Sequence, residues 1–223
     1  MKTAMILAAG RGERLKPLTE KLPKAMCLVG DKPLIAHHVT HLAQSGFEQI
    51  VINHAYLGGQ IRRYLGNGAH WSVDIHYAPE PPGGLETGGG ILNALPLLGD
   101  KPFVTVNADV LTDYNFSTLH LPEETLAHLI LVENPPHKKQ GDFGLFGNKV
   151  SLDFPFYTFS GIACYHPLAF QACKIGRYSV TPLLRDLVKQ KGVSGALHSG
   201  LWIDIGSFEG LLSANRVFNA KGT

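Results

Sequence analysis

Leu7-Ala-Ala-Gly10-Arg-Gly12-Glu-Arg14-Leu-Lys-Pro17 closes an apolar run that starts near Thr3. Residues 3–8 read as a buried strand, short and continuously apolar. Small residues and then glycines follow it directly. Glycine there allows positive φ and lets backbone N–H groups come close to a phosphate. A tight strand-to-helix turn would use the same two glycines, so the pair alone decides little. Two common nucleotide motifs are absent. A dinucleotide fingerprint needs a third glycine and an immediate helix, whereas position 15 is Leu and Pro17 forbids an early regular helix. A P-loop needs Gly-Lys-Ser/Thr. What remains is a long glycine loop bearing Arg11, Arg14 and Lys16, with Lys24 seven residues past Pro17. Such cations suit a triphosphate held by side chains more than by a helix dipole.

Outward from this loop, short apolar runs alternate with helical patterns. Strands are predicted at 49–53, 73–77, 102–106 and 127–132, and helices at 34–45, 58–65 and 91–98. Pro96 must kink or end the last of these. The order implies an α/β fold: a mostly parallel, twisted sheet with helices on both faces, in a single domain. Residues 134–156 are rich in Gly, Pro, Asn and Asp and read as a hairpin or a flexible flap. Strands at 158–165 and 197–205 and helices at 183–191 and 209–218 complete the chain. By the switch-point rule, about 1–115 form a nucleotide-binding half and about 116–223 a second substrate half.

Composition removes several classes of function. The chain has 223 residues, 44% of them hydrophobic, which is enough to bury a core. Lys plus Arg number 20 and Asp plus Glu 18, for a net charge of +2. That balance argues against a nucleic-acid footprint, so anion binding must rest on a few placed cations. Cys27, Cys164 and Cys173 have neither zinc nor redox spacing, which points to a reducing compartment. The apolar start is too short for a signal peptide, and no run approaches the ~20 residues of a membrane span. A soluble, cytoplasmic protein is expected, with no nucleic-acid or membrane partner.

Two acids stand where a hard cation would bind. Phe103-Val-Thr-Val-Asn107-Ala-Asp109 puts Asp109 just past the end of a buried strand, where open α/β sheets bind ligands. Asp113 fits a turn cap better. Trp202-Ile-Asp204-Ile-Gly206 sets an acid between apolar neighbours; Asp204 is a metal ligand or a salt-bridged structural acid. The segment Glu80-Pro-Pro-Gly-Gly-Leu-Glu86-Thr87-Gly-Gly-Gly90 has glycines that allow a flat base to lie on backbone, or make a flexible turn.

The ordered string Leu-Ala-Ala-Gly-x-Gly-x-Arg-Leu-x-Pro-Leu-Thr, then Pro23-Lys-Ala-Met26 and Lys32-Pro-Leu-Ile35, resembles the sugar-1-phosphate nucleotidylyltransferases. The resemblance runs from Met5 to about Phe208. It implies a Rossmann-like nucleotidyltransferase fold and transfer of a nucleotidyl group to a sugar 1-phosphate, with release of pyrophosphate. It also implies Mg²⁺ on Asp109 and Asp204, with Arg14, Lys24 and Asp109 as the catalytic groups. Magnesium needs only one or two protein carboxylates beside phosphate oxygens and water. The implied nucleotide site is Ala8, Ala9, Gly10, Gly12, Arg14, Lys24, Glu80, Thr87, Gly88 and Asn107. The implied sugar-phosphate site is Asp109, Gly144, Ser160 and Gly161.

The Glu86-Thr-Gly-Gly-Gly90 form, residues 51–54 and 107–114, and the compact length look like the short members that use UTP and N-acetylmuramic acid α-1-phosphate in peptidoglycan recycling. Guanylyl transfer to mannose or heptose 1-phosphate is the alternative. Larger members carry a Glu-Lys pair in the second half that is absent between Phe143 and Tyr157; Lys149, or Lys138 and Lys139, would replace it. The eleven histidines show no zinc spacing, and His54 reads as structural. A non-catalytic nucleotide sensor would be expected to have lost Arg14, Lys24, Asp109 or Asp204.

Overall fold

The computed structural model describes residues 2–136 and 138–221. The elements in chain order are β1 (Thr3–Leu7), β2 (Leu28–Val29), β3 (Lys32–Pro33), α1 (Leu34–Gln44), β4 (Gln49–His54), α2 (Gly58–Leu65), β5 (Asp74–Pro79), α3 (Glu86–Leu98), β6 (Phe103–Asn107), β7 (Val110–Thr112) and β8 (Ala127–Glu133). They continue with β9 (Gly144–Phe146), β10 (Lys149–Ser151), β11 (Tyr157–Tyr165), α4 (Val180–Lys189), β12 (Val193–Leu197), β13 (Trp202–Asp204) and α5 (Phe208–Lys221).

Among the described residues, nine strands form one sheet in the order β5-β4-β1-β6-β11-β8-β12-β10-β9. Only β11 and β10 run against the other seven, so the sheet is mostly parallel, as the strand–helix alternation requires. Period-two alternation splits each strand between two apolar layers. In β1, Ala4 and Ile6 join Ile35, Val39 and Leu42 of α1 and Ile61 and Leu65 of α2. Met5 turns to the opposite layer, with Ile91 and Ala94 of α3 and Leu184 and Leu187 of α4. Helices therefore cover both faces. A third, smaller cluster of Val29, Leu34, Ile205 and Ala214 ties α5 to the β2–β3 hairpin.

Two local expectations change, and the hairpin expected within 134–156 forms. Residues 197–205 are not one strand. After His198 donates its backbone N–H to Leu131 O, the chain leaves the sheet and returns as β13, paired with β7 in a separate ribbon. Helix α3 starts five residues earlier than its apolar pattern and runs through Pro96 to Leu98. A single missing N–H in the last turn does not end it, and Gly99 N–H closes the turn on Leu95 O. The 134–156 stretch contributes the β9–β10 hairpin to the main sheet. Among the described residues, no helix is long and apolar enough to cross a membrane.

Candidate active site

Strand β1 delivers the glycine loop to the carboxyl edge of the sheet. Pro17 and Pro23 keep the loop out of regular helix, and it folds as three single 3₁₀ turns at Glu13–Leu15, Leu18–Glu20 and Lys24–Met26. Leu15 is fully buried and anchors it. Gly12 takes φ 69°, ψ 38°, a left-handed conformation that disfavours a side chain. Its carbonyl accepts from Thr19 Oγ1 at 2.8 Å, and a Cβ there would lie 3.0 Å from Lys24 Cβ. The loop thus closes against the segment that carries Lys24.

Lys24 Nζ donates to Asp109 Oδ2 at 2.5 Å, with the lysine side chain 11% and the aspartate 33% exposed. Asp109 lies in the turn between β6 and β7, and its carbonyl accepts from Ile205 N–H at 2.7 Å. On the facing strand, Asp204 is the register partner of Val110. Arg14 Nη2 stands 4.0 Å from Asp204 Oδ2. A Cβ on Gly206 would sit 2.3 Å from that Nη2, so the glycine makes room for the guanidinium. Residues spread over 190 positions therefore meet as two acid–base pairs, Lys24–Asp109 and Arg14–Asp204, joined through the β7–β13 ribbon. Arg14 and Asp204 also line a cavity of about 650 Å³ with Trp202, Glu133, His198 and Ser207.

Asp109, in the turn leading into β7, and Asp204, on β13, supply hard oxygen donors. Among the described residues, no group of three or more His, Cys, Asp or Glu side chains could hold an ion. The donor set fits Mg²⁺, which takes one or two carboxylates and completes its shell with phosphate oxygens and water.

The profile of the family described as nucleotidyl transferase matches residues 3–149. The chain belongs to the nucleotidyl transferase family. It is 49% identical to an N-acetylmuramate alpha-1-phosphate uridylyltransferase of Neisseria meningitidis serogroup B, over 92% of this chain and 93% of the relative. A protein of the same name from Caulobacter vibrioides is 30% identical over 96% of this chain and 95% of its own. The fold also matches a UDP-glucose pyrophosphorylase crystallised with UDP-glucose, with a TM-score of 0.80, 20% identity and 99% of each chain covered.

The other expected residues of this nucleotidyl transferase fall into two groups. Gly10 and Gly12 lie in the loop after β1, Gly12 against Lys24, and Asn107 stands two residues before Asp109. Asn107 ends β6, where a β-bulge between Phe159 and Ile162 of β11 faces it. Gly161 in that bulge has φ 80°, and a Cβ there would lie 2.5 Å from Asn107 Nδ2. Ala9 lies beside the 80–90 segment: a Cβ on Gly84 would be 3.6 Å from its carbonyl.

The second group is engaged within the protein. Ala8 N–H donates to Asn53 Oδ1 at 2.7 Å. Glu80 accepts from Asn53 and from Leu85 N–H. Thr87 Oγ1 accepts from Val180 N–H, and Gly88 N–H donates to Tyr178 O. Ser160 Oγ donates to Ile130 O inside the sheet, whereas its carbonyl accepts from Trp202 Nε1 at 2.9 Å. Gly144 packs against the carbonyls of Asp153 and Phe154 in the hairpin region.

Lys138 pairs with Asp142 at 2.7 Å, and Asp142 also accepts from Phe159 N–H. Lys149 is exposed on β10. Asp113, expected as a turn cap, sets its Oδ1 3.1 Å from His198 Nε2. His54 packs edge-on to Tyr77, and burial with nearby Arg62 pushes its pKa down, as befits a structural neutral ring.

Sequence reasoning passed over Asn53, the Arg177–Glu86 pair at 3.3 Å and the lining role of Glu133. Asn53 stands between Ile52 and His54 at the end of β4, and nothing in the local sequence marks it.

Proposed function

We propose that this chain transfers the uridylyl group of UTP to N-acetylmuramic acid α-1-phosphate. A phosphate oxygen of the sugar ester attacks the α-phosphorus, the bond from that phosphorus to the bridging oxygen breaks, and pyrophosphate leaves. The attacking group is already ionised, so the obstacle is mutual repulsion and alignment of two anions, not proton removal. The meeting of Lys24 with Asp109 and Arg14 with Asp204 at one sheet edge carries the reading of the chemistry. The substrate pair rests on the likeness to the Neisseria relative across nearly the whole of both chains.

In this reading Arg14, its side chain largely exposed, holds the departing β- and γ-phosphates. Lys24, nearly buried, bears on the α-phosphate, where a desolvated ammonium acts more strongly than one in water. Backbone N–H groups around Gly10 and Gly12 receive the phosphates, and the segment 81–90 lies against the base. Asp109 and Asp204 would hold a Mg²⁺ ion, which when bound neutralises phosphate charge and orients the triphosphate.

The test is pyrophosphate release with UTP, CTP, GTP and ATP, each crossed with the 1-phosphates of N-acetylmuramic acid, mannose, glucose and N-acetylglucosamine. UTP with the muramic acid ester is expected to give the highest kcat/KM. A preference for GTP with mannose 1-phosphate would overturn the substrate assignment. Tight nucleotide binding with no pyrophosphate from any pair would overturn the enzymatic one.

A further inference from the structure

We propose that Asn53 is a positioning residue that locks the phosphate loop to the base loop and thereby sets nucleotide affinity. The inference rests on the reading that a nucleotide spans these two loops. Asn53 is 2% exposed, near the carboxyl end of β4 and opposite Leu7 of β1 in register. Its Oδ1 accepts from Ala8 N–H at 2.7 Å, at the root of the glycine loop. Its Nδ2 donates to Glu80 Oε1 at 2.6 Å. The other carboxylate oxygen, Glu80 Oε2, accepts from Leu85 N–H at 2.6 Å, inside the base loop. Three hydrogen bonds thus run from one loop to the other through two buried side chains, Glu80 being 9% exposed.

The chemistry of each position follows from its neighbours. Asn53 must accept from an N–H and donate to a carboxylate at the same time, which a forked amide does and an aliphatic residue cannot. Removing it leaves a buried carboxylate and a buried N–H without these partners. Gly90, on the first turns of α3, leaves room for the bridge: a Cβ there would be 2.6 Å from Glu80 Oε1 and 2.7 Å from Asn53 Nδ2. Gly84 rests beside Ala9 O and Glu80 Oε2, so the base loop lies directly on the phosphate loop that the bridge holds. Arg14, Lys24 and Asp109 are outside this chain of bonds. Losing the bridge therefore changes where the nucleotide sits more than how fast it reacts once seated.

Asn53→Asp keeps the acceptor for Ala8 N–H but sets a carboxylate against Glu80. It is expected to raise the UTP KM by about tenfold or more, with kcat within about threefold of wild type. The double variant Asn53→Asp/Glu80→Gln exchanges donor and acceptor while keeping the net charge and every bond in the chain. It is expected to recover most of the lost affinity. Calorimetric titration of the wild type with the four Mg-triphosphates comes first. Failure of UTP at that step sinks the substrate reading alone, and the variants are then compared on the tightest binder. A wild type that binds none of the four overturns both readings. An Asn53→Asp protein with unchanged KM but lower kcat and melting temperature would make Asn53 merely structural and overturn the proposal. If Asn53→Asp does not fold, a folded double variant that still binds weakly overturns it as well, and one that binds normally supports it.

Discussion

Lys24 and Asp109 pair across 2.5 Å; in the proposed reaction Lys24 bears on the transferring phosphate and Asp109 would hold the metal ion beside it. Lys24→Ala and Asp109→Asn should lower kcat by about a hundredfold or more, while circular dichroism and the melting curve stay close to wild type. Retained turnover would remove the pair from the chemistry. His38 makes a different prediction. It is buried at 4% exposure, and burial first of all drives its pKa from 6.5 down to about 4, against the pull of nearby Asp109. Between those values the unfolded chain takes up a proton that the folded chain refuses. Stability is full above pH 6.5 and falls as the pH drops toward 4, by at most about 3 kcal/mol from this residue. His128, also lowered to about 4 by burial and by His120, adds to the same slope. Urea midpoints should fall from pH 7.5 to pH 5, and His38→Gln should flatten that fall. At this scale the loop cations and the two acids stood out as candidates, because phosphate chemistry calls for those residue types beside a strand end. Asn53 did not, because its partners lie 45 and 27 residues away and only the folded chain supplies them.

Helix α3 shows why propensity alone misplaces an element. A run of three glycines reads as a loop, yet Gly88, Gly89 and Gly90 form its first turns. Close approach explains each: a Cβ would lie 2.5 Å from the Tyr178 ring at Gly88, 2.1 Å from Gly176 O at Gly89, and against the Asn53–Glu80 bridge at Gly90. Packing overrides the intrinsic preference for alanine in a helix. Gly89→Ala should therefore lower the melting temperature, although helix propensity predicts a gain. Gly59→Ala in α2, where a Cβ would meet nothing within 4 Å, should raise stability by about 0.5 kcal/mol. Thermal melts of the two variants check the pair, and a gain at Gly89 would refute the packing account. The strand at 197–205 misread for a related reason. Apolar periodicity reports burial but not which partner provides it, and β13 finds its partner in β7.

For the molecule as a whole, the mostly parallel order was readable from the strand–helix alternation, because parallel neighbours need crossovers. The reversed β11 was not readable, since its direction depends on β6 and β8, which flank it. That insertion makes the two halves of the chain one body. Both apolar layers draw on each half: Ile6 with Ile130 and Ile162 on one face, Met5 with Leu129 and Val193 on the other. Fluorescence and circular dichroism should report one coincident unfolding transition. A fragment of residues 1–115 should not fold alone, because the edge of β6 that pairs with β11 would open to water; two separated transitions would contradict this. The short β7–β13 ribbon has a further consequence. It ties Asp204 to the backbone that immediately follows Asp109, and Ile205 N–H adds a bond to the Asp109 carbonyl. Asp204 faces Val110, the residue next to Asp109, so the two acids share one short stretch of paired backbone.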